Sequence, residues 1–154
     1  AWDAEAMLYT VNALAAKAVV GRCTGRTTKL DGAEFDVKAN PRNFAVLTLN
    51  AADGQPLARS GRMLLAAAGN VENSGMGWNA DHTSVGTQWG RAPTLCEGIA
   101  AKVTLSTGAK SAKVRALDGN GVQTGEVPAS LGEGNLTFDI GPQFKTLWYE
   151  ILVE

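Results

Sequence analysis

The chain has 154 residues, an apolar content of 45%, and 14 Lys and Arg against 15 Asp and Glu, for a formal net charge of −1. That length suits one domain able to bury a core of its own, and the charge balance leaves no field to gather nucleic acid or an anionic membrane surface. No apolar run approaches the ~20 residues that a membrane-crossing helix needs, and 18 glycines without amphipathic helical blocks lean toward an all-β fold.

The chain opens AWDAEAMLY, with neither an initiator Met nor a basic leader. It is therefore expected to be an excised module or a processed product, one β-sandwich over 1–154. The only helix that propensity allows is a turn or two near Asp3 to Leu8. Met7 to Val11 and Ala16 to Val20 are short β-prone runs, closed by Thr24-Gly25. Glu34 to Lys38 alternates Phe35 and Val37 with charged residues, the pattern of a half-buried strand. Phe44 to Leu49 is apolar on both faces and predicts a central strand covered on both sides. Ala52-Asp-Gly-Gln-Pro56 reads as a turn, and Arg62 to Ala68 as the next strand.

The segment from Gly69 to Pro93, GNVENSGMGWNADHTSVGTQWGRAP, keeps neither a helical nor a two-residue period. Irregular segments this long are uncommon in compact domains and usually functional or disordered. Met76, Trp78, Val85 and Trp89 give this one apolar side chains to pack, which argues for order. Regular alternation then resumes in Ala101 to Leu105, Ala112 to Leu117, Asn135 to Ile140 and Leu147 to Val153, separated by Gly-rich turns. Such spacing predicts an all-β, antiparallel β-sandwich, jelly-roll-like or immunoglobulin-like, with one long functional loop. Cys23 and Cys96 sit in strand-like contexts. They either pair across the core in an oxidising compartment or remain two buried thiols.

MLLAAAGNVENSGMGWNADHTSVGTQWGRAPTLCEGI, together with VRALDGNGVQTGEVP and FKTLWYEI, resembles the accessory β-sandwich modules that stand beside catalytic barrels in bacterial multidomain glycoside hydrolases. The likeness runs from about Asn43 to Glu154, and its most distinctive part is Gly75-Met-Gly-Trp-Asn79 with Trp89-Gly90. Cys96 departs from it, standing where an aliphatic residue is expected. The resemblance implies an extracellular or periplasmic, secreted bacterial setting and attachment to a glycoside hydrolase catalytic domain. It also implies one of two roles: a non-catalytic carbohydrate-binding module for β-glucan, cellulose or hemicellulose, or a structural domain that braces the barrel without binding glycan.

The residues offer a stacking-and-hydroxyl chemistry consistent with the first role. Trp78 and Trp89 are loop aromatics, each either a sugar-stacking face or a lid over the core. Trp148 shares its strand face with Glu150 and Glu154, so the two-residue period turns it outward. Asn73, Asn79, Asp81, His82 and Gln88, with Thr83, would supply a hydroxyl-binding fringe, or tie down the loop's own backbone. His82 is the only histidine and has no nucleophile or metal companions at a recognisable spacing. Glu72, Asp81 and Glu97 raise the idea of a glycosidase carboxylate pair, but the resemblance points to the accessory module, and no catalytic residue is expected. Asp118-Gly-Asn-Gly121 reads as a hairpin turn, with structural calcium as the alternative. No other cofactor or metal is expected.

Overall fold

The computed structural model describes residues 1–154. Fifteen strands carry the fold: β1 (Trp2–Asp3), β2 (Leu8–Asn12), β3 (Ala16–Gly21), β4 (Arg26–Leu30), β5 (Ala33–Val37), β6 (Ala45–Ala51), β7 (Arg62–Ala68), β8 (Val71–Ser74), β9 (Arg91–Cys96), β10 (Ala101–Ser106), β11 (Ala112–Leu117), β12 (Gln123–Val127), β13 (Ala129–Gly132), β14 (Asn135–Ile140) and β15 (Trp148–Val153). The only helical pieces are two short 3-10 turns at Leu57–Arg59 and Pro142–Phe144. The residues near Asp3 to Leu8 form no helix.

Every strand pairing is antiparallel, and two sheets face each other. The larger has eight strands in the order β1-β2-β3-β6-β7-β15-β11-β12, and the smaller has five in the order β13-β14-β10-β5-β4. The all-β antiparallel sandwich expected from the alternation is the fold observed. Inner-face residues of both sheets merge into one buried cluster. Val19, Leu47, Leu65, Tyr149 and Ile151 come from the larger sheet, and Phe35, Val103, Leu136 and Phe138 from the smaller.

The two sheets differ on their outer faces. In the smaller one, Asp36, Lys102 and Asp139 lie in one outward row, and Glu34, Thr104 and Thr137 in the next. Polar residues outside and apolar residues inside are the usual state of an antiparallel sheet with one wet face. The larger sheet breaks this rule. Its register sets Val11, Ala18, Thr48, Ala66, Trp148 and Leu117 in one outward row. Beside it runs a second row, Trp2, Tyr9, Val20, Val46 and Ala68. β6 and β7 are thus apolar on both faces, as the sequence of Phe44 to Leu49 predicts, yet only the inner face is covered. Trp148 does point outward, but into a row of small apolar neighbours supplied by other strands.

The segment from 69 to 93 is less irregular than its sequence suggests. Its two ends are β8 and the start of β9, which pair only with each other as a two-stranded ribbon. The register shifts between Asn73 and Ser74, and the Ala92–Pro93 peptide on the opposing strand is cis.

Both cysteines are free thiols. Cys23 is fully buried, and burial pushes its thiol up, against smaller opposing effects of the Cys23 and Ala45 backbone and the Arg26 charge. Cys96 is partly exposed at the ribbon's base. Since the thiolate is the reactive form, an aromatic-disulfide thiol titration of the native chain should consume Cys96 alone. Cys23 should react only on unfolding. Rapid release of both thiols under native conditions would place Cys23 outside the core.

Candidate functional site

The ribbon and the loop it carries, Gly75 to Gly90, hold every residue that the sequence nominates for ligand contact except Trp148. The loop closes through its backbone: Gly77 N donates to Gln88 O at 2.9 Å, and Gln88 N to Val85 O at 2.8 Å. Two asparagines brace it. Asn73 Nδ2 donates to Trp89 O at 3.0 Å, while its Oδ1 accepts from Thr94 Oγ1 at 2.8 Å. Asn79 Oδ1 accepts from the amides of Thr83 and Ser84 at 2.8 and 3.2 Å, and its Nδ2 donates to Thr83 Oγ1. Both side chains therefore have partners in the local backbone and its neighbours, the turn-building role Asn commonly plays. Asp81 and Gln88 are exposed. His82 is exposed too, in a left-handed backbone conformation at φ 53°.

Trp78 is held from three sides. Its indole Nε1 donates to Glu72 Oε2 at 2.9 Å, and the same oxygen accepts from Arg42 Nη2 at 3.1 Å. The Arg42 guanidinium lies 5.8 Å from the Trp78 ring centroid, within cation–π range. The His82 ring approaches the indole at 5.7 Å, tilted by 33°. The N–H and part of the ring surface that a sugar would use already have protein partners. Trp89 stands differently, 64% exposed with no aromatic or cationic neighbour. Val71 and Leu95 are also exposed on the ribbon.

Beside this cluster, Arg42, Asn70, Glu72, Leu95, Cys96 and Glu97 line a shallow depression of about 260 Å³. Both of its carboxylates are hydrogen-bonded. Glu72 serves Trp78 and Arg42, and Glu97 Oε2 accepts from Asn70 N at 3.2 Å and Asn70 Nδ2 at 3.3 Å. No set of three or more His, Cys, Asp and Glu side chains converges as a metal cage. At the other candidate cation site, Asp118 Oδ1 accepts from Asn120 N and Val122 N at 2.8 and 2.9 Å. It shapes the hairpin turn between β11 and β12.

Trp148 lies apart from the ribbon loop in the fold, on the outward face of the eight-stranded sheet, 40% exposed. On that face Glu150 is nearly buried, bonded to Arg62 Nε at 2.8 Å and 3.5 Å from Arg115 Nη1. Arg115 Nε is buried without any acceptor.

No protein-family model, curated protein or solved structure matches the chain. The site must speak through its own chemistry.

Arg42 and Glu72, which set the state of Trp78, escape a sequence-based search for sugar-binding residues. They lie 30 positions apart, and nothing local ties them to a tryptophan. The apolar outer face escapes it for a related reason. It is assembled from several strands, β1, β2, β3, β6, β7 and β15, whose individual contributions look unremarkable in isolation.

Proposed function

We propose that the chain is a non-catalytic accessory module that docks a neighbouring folded domain on the outer face of its eight-stranded sheet. The sequence resemblance makes a glycoside hydrolase catalytic domain the natural neighbour. The observation that carries this reading is the outward apolar surface running from Trp2 and Tyr9 through Val20, Val46 and Ala66 to Trp148. Contiguous apolar patches on this scale mark interaction surfaces. Ala18, Ala66 and Ala68 keep it flat, which suits the broad surface of another domain better than a glycan chain seeking a groove.

A second reading is favoured by Trp89 alone. An isolated, exposed indole at the end of the ribbon loop is suited to stack on a sugar ring, and the module would then bind β-glucan as well as brace. Two measurements separate these. Titration of the chain with its parent catalytic domain should show association that Ala66→Glu abolishes without altering the far-ultraviolet circular dichroism. A charge in the middle of the apolar face would have to be desolvated on docking. Affinity electrophoresis on xyloglucan, mixed-linkage glucan and a soluble cellulose derivative should show no retardation. Retardation lost in Trp89→Ala, with no association between domains, would transfer the function to glycan binding.

A further inference from the structure

Lys17 is 5% exposed, on the inner-face register of β3 with Val19, opposite Leu49. Lysine is almost never this buried unless paired with an opposite charge, yet Lys17 takes part in none of the molecule's ion pairs. Its Nζ donates to Asn12 Oδ1 at 2.6 Å and to Ala13 O at 2.8 Å. An ammonium has three donors, so one remains without a protein acceptor.

The same side chain lines a cavity of about 290 Å³ at the end of the sandwich where the β2–β3 turn, the β4–β5 turn and the Leu57–Arg59 turn converge. Leu49 and Met63 of one sheet and Leu105 and Leu136 of the other form its floor, with Leu14 and Leu57 at its rim. Asp31 also borders it, but its carboxylate makes no ion pair with Lys17. A mostly apolar, concave space between two sheets, with a few polar groups (Lys17 with Asn12, Asp31, Ser106 and Thr107), is the common form of a small-ligand site. Its volume lies close to the ~300 Å³ lower end for such sites.

We infer that this cavity is a binding site for a small amphipathic monocarboxylate, its carboxylate on Lys17 Nζ and its aliphatic tail between Leu49, Met63, Leu105 and Leu136. The chemistry selects this class. A half-enclosed ammonium lacking a counter-charge is stabilised by an anion brought beside it in a mostly apolar cavity. One free donor suits a carboxylate oxygen, whereas a phosphate would need several. The apolar floor requires a hydrocarbon tail rather than a sugar. The site is separate from the outer sheet face and from the ribbon, and it stands whether or not the proposed docking function holds.

The test uses octanoate and octanol as matched probes, with methyl-detected NMR of the intact chain near neutral pH. Octanoate is expected to bind saturably and to shift the methyl signals of Leu49, Met63, Leu105 and Leu136. Its affinity should exceed that of octanol by roughly tenfold or more, as one charge-assisted hydrogen bond in a mostly apolar cavity would give. In Lys17→Met, of similar length without charge, that preference should vanish while octanol still binds. Equal affinity of the two probes for the wild-type chain would overturn the inference, and that comparison does not depend on any variant folding. So would an absence of saturable shifts, or shifts confined to outer-face residues such as Val11, Val20 and Val46.

Discussion

Phe35→Ala is expected to destabilise the chain by about 3–5 kcal/mol, the range for removing a buried aromatic ring and leaving a cavity that closes only partly. Phe35 is fully buried, sits in β5, and faces Val103 of β10 across the sheet. It contributes to the cluster that joins the two sheets. Since natural domains are stable by only about 5–15 kcal/mol, the variant should lose a large fraction of its margin. Its unfolding midpoint in urea should fall steeply. A shift worth less than about 1 kcal/mol would mean that the two sheets do not meet across Phe35.

The second large effect is local. Gly90 ends the ribbon loop with φ at 69°, and a Cβ there would stand 2.6 Å from the Ser74 carbonyl oxygen and 2.8 Å from the Met76 amide nitrogen. Both are backbone atoms, so the clash cannot be relieved by a side-chain rotation. The left-handed conformation alone costs a non-glycine residue about 1–2 kcal/mol. Gly90→Ala should therefore open the loop at its neck and free the segment from Gly77 to Gln88, whose ends are joined by the bond from Gly77 N to Gln88 O. The expected signature is limited proteolysis within that segment and a changed tryptophan emission, with the sandwich still melting cooperatively. Loss of the whole fold would instead show that the ribbon supports the core. An unchanged cleavage pattern would show that the neck tolerates the extra atom by shifting.

These two effects belong to different parts of the molecule, and the accessory reading uses that separation. The ribbon pairs with neither of the large sheets, so its loop can change without cost to the core. The outer apolar face is built on the backs of the strands that make the core. A docking partner there would therefore stabilise the whole sandwich, whereas a ligand at the ribbon would order only the loop.

Much of the sandwich is readable from local pattern. Glu34 to Lys38, Ala101 to Leu105 and Asn135 to Ile140 alternate cleanly, and their apolar members Phe35, Val37, Val103, Leu105, Leu136 and Phe138 all lie in the core. Alternation is read within one strand, so it gives strand type and inward face without knowledge of the partner. β4 and β13, RTTKL and ASLG, are edge strands of the five-stranded sheet. They carry little apolar alternation and exist because a neighbour offers them a ladder of hydrogen bonds. β8 and β9 are hidden for the same reason, among residues that otherwise read as loop.

Local pattern alone yields an all-β chain with period-two strands, an outward Trp148, and a segment around Trp78 and Trp89 rich in aromatic and amide groups. What those residues face follows from long-range packing. Glu72 and Arg42 converge on Trp78 from distant positions, leaving Trp89 as the open indole of the loop. Lys17, which the alternation already sets on the same face as Val19, becomes notable only when the opposing sheet closes an apolar cavity over it. Trp148 shares its strand face with acidic residues, yet joins an apolar surface once Ala66 and Thr48 are set beside it. The physical reason is common to all three. Periodicity is a property of one strand, whereas a surface, a cavity or a stacked pair arises from strands far apart in the chain, whose register is set by the packing of the whole.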